Sequence, residues 1–426
     1  VIDTVIDKRI YLREYNDIQF QLGSLNLNGE VRIFLDWMPY SKVKVYIRVE
    51  ANDISLYESL SQEGEVLNIA SENIHVKVKY ISISGSDGYR EGLFVATEKW
   101  HIFKDGTSDS SILNKAEFDL PNFHLRREVT INTSDWQIQI EPTTENDKIT
   151  KDLKRQGGHA ITHHATVTTK DKKLLTVKEI NKLREGLYYF FSFTRGFWIY
   201  PILFKGYDNS EVVWEDFNIN RQSIEWQNVS TWLDAQHKEG IQDVGERFFL
   251  KWFDESWHSN LKTAVYWYIN ANIGSRGVEG AIIQNQAAFE LLSWHVFVEI
   301  KNAISKDGFK SLKADDKIRL LLSETHIPNE VPPVLNNLFK IAKEHNLLEA
   351  SQRLTVTRNM LVHPGHKKEE AFSKTKTLAE CWVLGQWILS LVILNLIGYD
   401  GKYFNRLKED QWEGVVEEVP WNKTSK

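Results

Sequence analysis

Arg358, Asn359 and His363 fall inside the six-residue run Arg358-Asn359-Met360-Leu361-Val362-His363, which combines a permanent cation, a polar amide and a titratable base. Those are the groups that phosphodiester chemistry needs. A guanidinium pairs bidentately with phosphate oxygens, and imidazole is the side chain whose unperturbed proton affinity lies nearest neutral pH. The apolar positions Leu347, Leu348, Leu354, Met360 and Leu361 predict a helix under this run, with Pro364-Gly365 as breaker and C-terminal punctuation. His363 is therefore expected at a helix C-terminus. Arg319 and His326 satisfy the loosest form of the same spacing. Leu320 stands where the polar neighbour should be, and Ile327-Pro328 puts His326 in a loop, so that match is set aside. The competing reading of the run is a surface arginine followed by a histidine that only caps terminal carbonyls.

The run and the helices around it, over about residues 245–400, resemble the HEPN superfamily of ribonucleases. That family's signature is Arg, a polar residue, three to five further residues and then His. The C-terminal half looks most like the ApeA-type branch of bacterial anti-phage defence. The resemblance implies metal-free RNA cleavage, without a cofactor, at a cleft shared by two protomers of a homodimer. By position it implies that Arg358 neutralises the scissile phosphate, Asn359 orients its neighbours and His363 moves the proton of the ribose 2′-hydroxyl. Ala287-Ala288-Phe289-Glu290-Leu291-Leu292 is similar to the segment that carries an acidic residue opposite the motif in many HEPN proteins.

Glu290 also stands out physically, as a carboxylate on the apolar row Ile283, Ala287, Glu290, Trp294. A buried charge needs a partner, so Glu290 is expected to pair with Arg358 or His363; the alternative is a solvated border position. Arg353, His366, Lys367 and Lys368 cluster around the motif in sequence and are expected to hold the substrate, with His366 a fallback proton donor. Such a run is also what a solvated face looks like. A non-catalytic HEPN module that binds a nucleotide, RNA or a protein partner is the competing function.

At 426 residues the chain is too long for one core, which implies two or three domains. Apolar residues make up 42% and charged residues 26%, the proportions of a soluble globular protein. The net charge of −6 excludes a protein that coats nucleic acid by bulk electrostatics, though not an enzyme touching a few phosphates. A single cysteine, Cys381, excludes a disulfide framework and a cysteine-based zinc site, and fits a reducing cytoplasm. Val1 to Asp17 has no continuous apolar run of the secretory kind, so secretion is not expected. Cys381 to Ile397 is nearly all apolar but falls short of spanning length, and reads as a buried helix of a bundle or dimer interface rather than a membrane span.

The expected architecture is an α+β multidomain protein. Residues 1–165 read as an antiparallel β-rich sandwich or partial barrel, a sensor or regulatory domain open to a phage-derived or host trigger. Val43–Val49, Ile74–Tyr80 and Trp136–Ile140 alternate, and Ile81 and Ile83 switch phase as at a bulge. Residues 166–240 read as an α+β region that either packs on the sheet domain or bridges it to the C-terminal half, with Thr176 and Glu179 forming a capping box for a helix over Val177 to Phe193. Residues 241–410 read as an all-α HEPN-like bundle, with Ser259 an N-cap and a helix over Val278 to Ile304, and 411–426 as a tail.

Three further features carry less. His159, His163 and His164 lack an acid to complete a metal site and are expected on a strand surface. Trp226, Trp232, Trp252 and Trp257 are placed in a domain interface rather than at a base-stacking surface. Gly274-Ser275-Arg276-Gly277 lacks the lysine and spacing of a phosphate loop. Carbohydrate recognition by the β-rich part rests on aromatics and turns alone.

Overall fold

The computed structural model describes residues 5–50, 64–86, 88–98, 100–104, 106–170, 173–219, 221–274, 277–363, 375–408 and 412–422. An antiparallel β-rich N-terminal region and a mostly helical C-terminal region make it an α+β multidomain protein.

The first six strands are β1 (Ile10–Leu22), β2 (Leu25–Asp36), β3 (Lys42–Glu50), β4 (Glu65–Ile69), β5 (Ile74–Ser86) and β6 (Tyr89–Ala96). They close into a barrel in the order β1-β2-β3-β6-β5-β4, with Leu22 of β1 opposite Leu67 of β4 at the seam. Closure removes the free edges that an open sheet would leave. Period-two alternation drives it: Val43, Val45, Ile47 and Val49 point inward to meet Val31, Ile33, Leu67, Val78 and Phe94. The phase switch at Ile81 is a bulge, since the β5–β6 register slips between Tyr80 and Ser82 and leaves Ile81 exposed. Gly29 sits where β2 meets β3 so closely that a Cβ would lie 2.2 Å from the Arg48 carbonyl oxygen. The expected sandwich or partial barrel is thus a closed barrel followed by a separate sheet.

That sheet uses β7 (His101–Phe103), β9 (Lys115–Pro121), β10 (Val129–Asn132), β11 (Trp136–Pro142), β12 (Ile161–Thr169), β14 (Ile202–Asp208) and β15 (Glu211–Asp216). Their order is β10-β11-β12-β9-β14-β15-β7. β8 (Ile112–Leu113) pairs with β13 (Leu175–Thr176), and α1 (Asn146–Gln156) links β11 to β12. α2 (Val177–Arg195) starts where the capping residues predict: the Glu179 N–H donates to Thr176 Oγ1 at 3.2 Å. The α+β stretch supplies strands to this sheet, since β14 pairs with β9.

The helical region comprises α3 (Lys238–Trp252), α4 (Glu255–Asn272), α5 (Gly277–Trp294), α6 (Lys306–Ser311), α7 (Ala314–Glu324), α8 (Asn336–Glu344), α9 (Ala350–Val362) and α10 (Thr375–Leu396). A hairpin of β16 (Lys402–Tyr403) and β17 (Glu417–Glu418) follows. The N-cap of α4 is Asp254, whose carboxylate accepts from the Ser256 N–H at 2.9 Å; Ser259 lies inside the helix. Asp254 wins because a carboxylate beside the helix start also meets the positive end of the dipole. The helix expected over Val278 to Ile304 ends as α5 and a π-helical segment, His295–Ile300. α10 is long and apolar enough over Lys376–Leu396 to cross a membrane, yet 78% of that window is buried inside the protein, as in a core helix.

The chain divides into two compact units that interleave in sequence. One holds Val1–Phe123, Ile138–Glu185 and Ile199–Trp226; the other holds His124–Gln137, Gly186–Trp198 and Gln227–Lys426. The chain passes from one to the other within β11 and within α2, so a cut at a change of composition does not find the boundary.

Candidate functional site

The Arg358 run forms the last turn of α9. The helix packs on α5, α7 and α10, and its inner face carries Ala350, Ser351, Arg353, Leu354 and Thr357. From Arg358 onward the side chains are half-buried, so burial fades toward the C-terminus. His363 ends the helix as an exposed cap with φ −114° and ψ 111°, while its N–H still donates to the Asn359 carbonyl at 2.9 Å. The residue before a proline is pushed out of the α region, which explains the stop. The expected helix and its end are both where the sequence puts them.

Arg358 Nη1 donates to the Asn359 Oδ1 at 3.0 Å, so the amide in the polar slot holds the guanidinium. Arg358 Nε is enclosed without a hydrogen-bond acceptor among the described residues. Asn359 and His363 are four residues apart and share one helix face. The three groups thus gather on the last turn and C-cap of α9, where burial is partial and ends at the exposed His363. The rejected match is structural: Arg319 donates to Glu349 Oε2 from Nε at 2.9 Å and from Nη2 at 2.6 Å.

Two expectations fail here. Arg353 is 0% exposed, so it cannot reach a substrate from the surface; it lies on the inner face of α9, with its charge near Cys381 of α10. Glu290 makes no ion pair with Arg358 or His363 among the described residues. Its Oε1 instead accepts from Gln286 Nε2 at 3.2 Å, one turn back on the same helix. Being half-buried, its carboxylate keeps part of its hydration and does not require a cation. His366, Lys367 and Lys368 lie outside the described residues, as do Pro364 and Gly365.

The other chemical groups are accounted for by packing. Cys381 is fully buried, and burial pushes its thiol up to about 11 despite the Thr357 hydrogen bond and the Arg353 charge, so it is no nucleophile. The expectation of surface histidines fails at His159 and His163, which are buried; His159 Nδ1 meets Asp7 Oδ1 at 3.0 Å and its ring stacks on Trp37. His164 is exposed and its Nδ1 meets Asp119 Oδ1 at 2.6 Å. No group of metal-ligating side chains occurs among the described residues. Trp226, Trp232, Trp252 and Trp257 are all buried and offer no ring face to a base.

Sequence reasoning missed a polar cluster on the π-helical segment. His295 Nδ1 lies 2.8 Å from Glu299 Oε2 and 3.0 Å from Asn260 Nδ2, and its ring packs edge-on to Trp257. The hydrogen bond with His295 holds the Glu299 carboxyl below the usual carboxylate range. The i, i+4 spacing of His295 and Glu299 is the one signal that points to it. It missed as well a cavity in the first unit, around Arg184 and Asp216, whose lining comes from segments far apart in sequence.

Residues 254–418, which include the Arg358 run, match the family model described as the YopA C-terminal domain. Residues 108–229 match the one described as the YopA central domain. A relative from Bacillus subtilis (strain 168), described as "SPbeta prophage-derived uncharacterized protein YopA", is 32% identical over 331 residues, which cover 74% of this chain and 74% of that protein. No solved structure matches the chain. With two domain models and a relative matched over about three quarters of both chains in agreement, the chain belongs to the YopA family.

Proposed function

We propose that this protein is a metal-independent endoribonuclease of the HEPN type, with its site at the end of α9. One observation carries the reading: Asn359 holds the Arg358 guanidinium on the same open helix turn that ends in His363. In the reaction His363 takes the proton of a ribose 2′-hydroxyl, and the 2′-oxygen attacks the adjacent phosphorus. Arg358 neutralises the charge that builds on the phosphoryl oxygens. The bond to the 5′-oxygen breaks, leaving a 2′,3′-cyclic phosphate and a 5′-hydroxyl. A proton must reach the leaving oxygen, and His363 of a second copy supplies it in a homodimer built on the helical bundle, with His366 the fallback donor.

The Bacillus relative is described as prophage-derived, and we extend that setting to this chain as RNA cleavage in conflict between phage and host, in the cytoplasm. The barrel and sheet then sense the trigger. A second reading is a module that binds a phosphate without cleaving it; among the described residues Arg358 Nε has no acceptor and Glu290 bonds Gln286 rather than the motif, which favours it.

Incubation with total RNA and mapping of the product ends tests both. The enzyme yields cyclic phosphate ends with wild type and none with His363→Ala, and EDTA leaves the yield unchanged. Cleavage that survives in both Arg358→Ala and His363→Ala, or that EDTA stops, overturns the nuclease; RNA binding without cleavage in wild type supports the module.

A further inference from the structure

The first unit contains a cavity of about 370 Å³ whose lining is built from three elements. On α2, Asn181, Arg184 and Glu185 share one face through i, i+3 and i+4 spacing. On β15, Trp214 and Asp216 share one sheet face through period two. His101 of β7, the loop residues Asp109 and Asn218, and Tyr200 and Arg221, which flank β14 and β15 in sequence, complete the wall. Space of this size is ample for a small ligand.

Arg184 is the unusual member. It is 7% exposed, its guanidinium lies 4.0 Å from the Phe204 ring centroid, and its Nη2 stands 3.1 Å from Asp216 Oδ2. That carboxylate oxygen lies off the N–H direction, so neither Nε nor Nη2 has a hydrogen-bond acceptor among the described residues. A buried ion pair that only served packing would have its donors satisfied, because an unpaired buried donor is costly. Asp216 is fixed from behind, where its Oδ1 accepts from the Asn218 N–H at 2.7 Å. Nearer the mouth, half-exposed Arg221 pairs with Glu185. Burial pushes the Tyr200 phenol up, while the adjacent Arg184 pulls it down.

We propose that this cavity binds a nucleoside monophosphate. Each guanidinium already faces a carboxylate, so a bare anion gains little by entering. The floor offers Arg184 Nε and Nη2 no aligned acceptor among the described residues and has the Asp216 carboxylate beside them, so its occupant carries hydrogen-bond acceptors and donors side by side. A nucleobase edge has that alternation, and the rings of Tyr200 and Trp214 suit a planar frame. The phosphate then lies at the mouth, where it takes the place of Glu185 on half-exposed Arg221 and meets the exposed Asn181 amide, its gain coming from being tethered to the base. This site is independent of the α9 motif and does not rest on the nuclease reading.

The test is calorimetric titration of the full chain with AMP, GMP, CMP and UMP, with inorganic phosphate and ribose 5-phosphate as controls. At least one nucleotide binds saturably at one site per chain. Arg221→Ala and Asn181→Ala, which change open positions and leave the fold intact, each weaken it by about tenfold or more. Arg184→Lys, which keeps the charge and removes the fork, weakens it further, and Arg358→Ala leaves it unchanged. The proposal fails if no nucleotide saturates the protein at millimolar concentration, if either control binds as tightly, or if Arg358→Ala abolishes binding that Arg221→Ala preserves. The last outcome identifies the α9 turn as the nucleotide site instead.

Discussion

Arg353 and Arg358 sit five residues apart on α9 and have opposite surroundings. Arg353 is wholly buried on the face that packs on α5, α7 and α10, whereas Arg358 is half-buried at the end of the helix, with its Nη1 on Asn359. Five residues turn a helix through about 140° beyond a full circle, which here puts Arg353 on the packed face and leaves Arg358 at its margin. Closeness in sequence is therefore a poor guide to which cations can meet one phosphate. One arginine belongs to the core and the other to the candidate site.

The largest effect that separates them is on RNA cleavage. In the nuclease reading Arg358→Ala and His363→Ala each lower the cleavage rate by roughly 10²–10⁴, the usual range for losing a charge stabiliser or a general base. His363 is exposed and Arg358 half-buried, so the unfolding free energy changes by about 0.5 kcal/mol or less for the first and about 1 kcal/mol for the second. Rate and denaturant midpoint, measured on the same preparation, check this. A variant that loses activity because it unfolds would place Arg358 in the core beside Arg353 and remove the distinction.

Arg353→Ala reverses the pattern. Deleting a large, fully buried side chain costs about 2–5 kcal/mol, from the cavity left and the buried groups stranded around it. Chemical denaturation reads the loss directly, and cleavage falls only in proportion to the unfolded fraction. If Arg353→Ala unfolds normally but fails to bind RNA, the buried conformation is not the working one.

Cys381 reports on the same buried end of α9. Burial pushes its thiol from 9.0 to about 11, while the Thr357 hydrogen bond and the Arg353 charge pull the other way. Because the folded value is raised, the stabilisation is complete below about pH 9 and is lost as pH climbs toward about 11; linkage makes the full loss roughly 2–3 kcal/mol. The difference between wild type and Cys381→Ala in unfolding free energy, followed from pH 8 to pH 11, isolates this group from the lysines and tyrosines that titrate alongside. A flat difference would mean that the thiol is hydrated and that the Arg353 end of the helix opens.

Periodicity and caps made much of this legible. Thr176 and Glu179 mark the start of α2, the alternation of Val43 to Val49 gives β3, and the phase change at Ile81 gives the bulge. Pro364 after His363 marks the end of α9. These are local signals with a direct backbone cause. Barrel closure was not legible, because pairing β4 with β1 is a long-range choice that no single strand encodes. Nor was the burial of Arg353, His159 and His163: side chains that usually face water were placed there by composition, and tertiary packing decided otherwise. The cavity around Arg184 lay beyond reach for the same reason, since α2 and β15 meet only in the folded chain.

Glu290→Gln is the smallest expected change and the sharpest test of the open end of α9. The resemblance that motivates the nuclease reading implies an acidic residue facing the motif, and a carboxylate that orients Arg358 or His363 would cost cleavage dearly when neutralised. Here Glu290 Oε1 accepts a single hydrogen bond from Gln286, and a glutamine oxygen accepts it equally well. The carboxylate is half-buried and keeps part of its hydration, so removing its charge relieves as much desolvation as it loses attraction. Cleavage should therefore fall by less than about threefold, and stability should move by about 0.5 kcal/mol or less. A loss comparable to His363→Ala would show that α5 and the motif close together when RNA or a second copy binds, with Glu290 leaving Gln286 for the arginine.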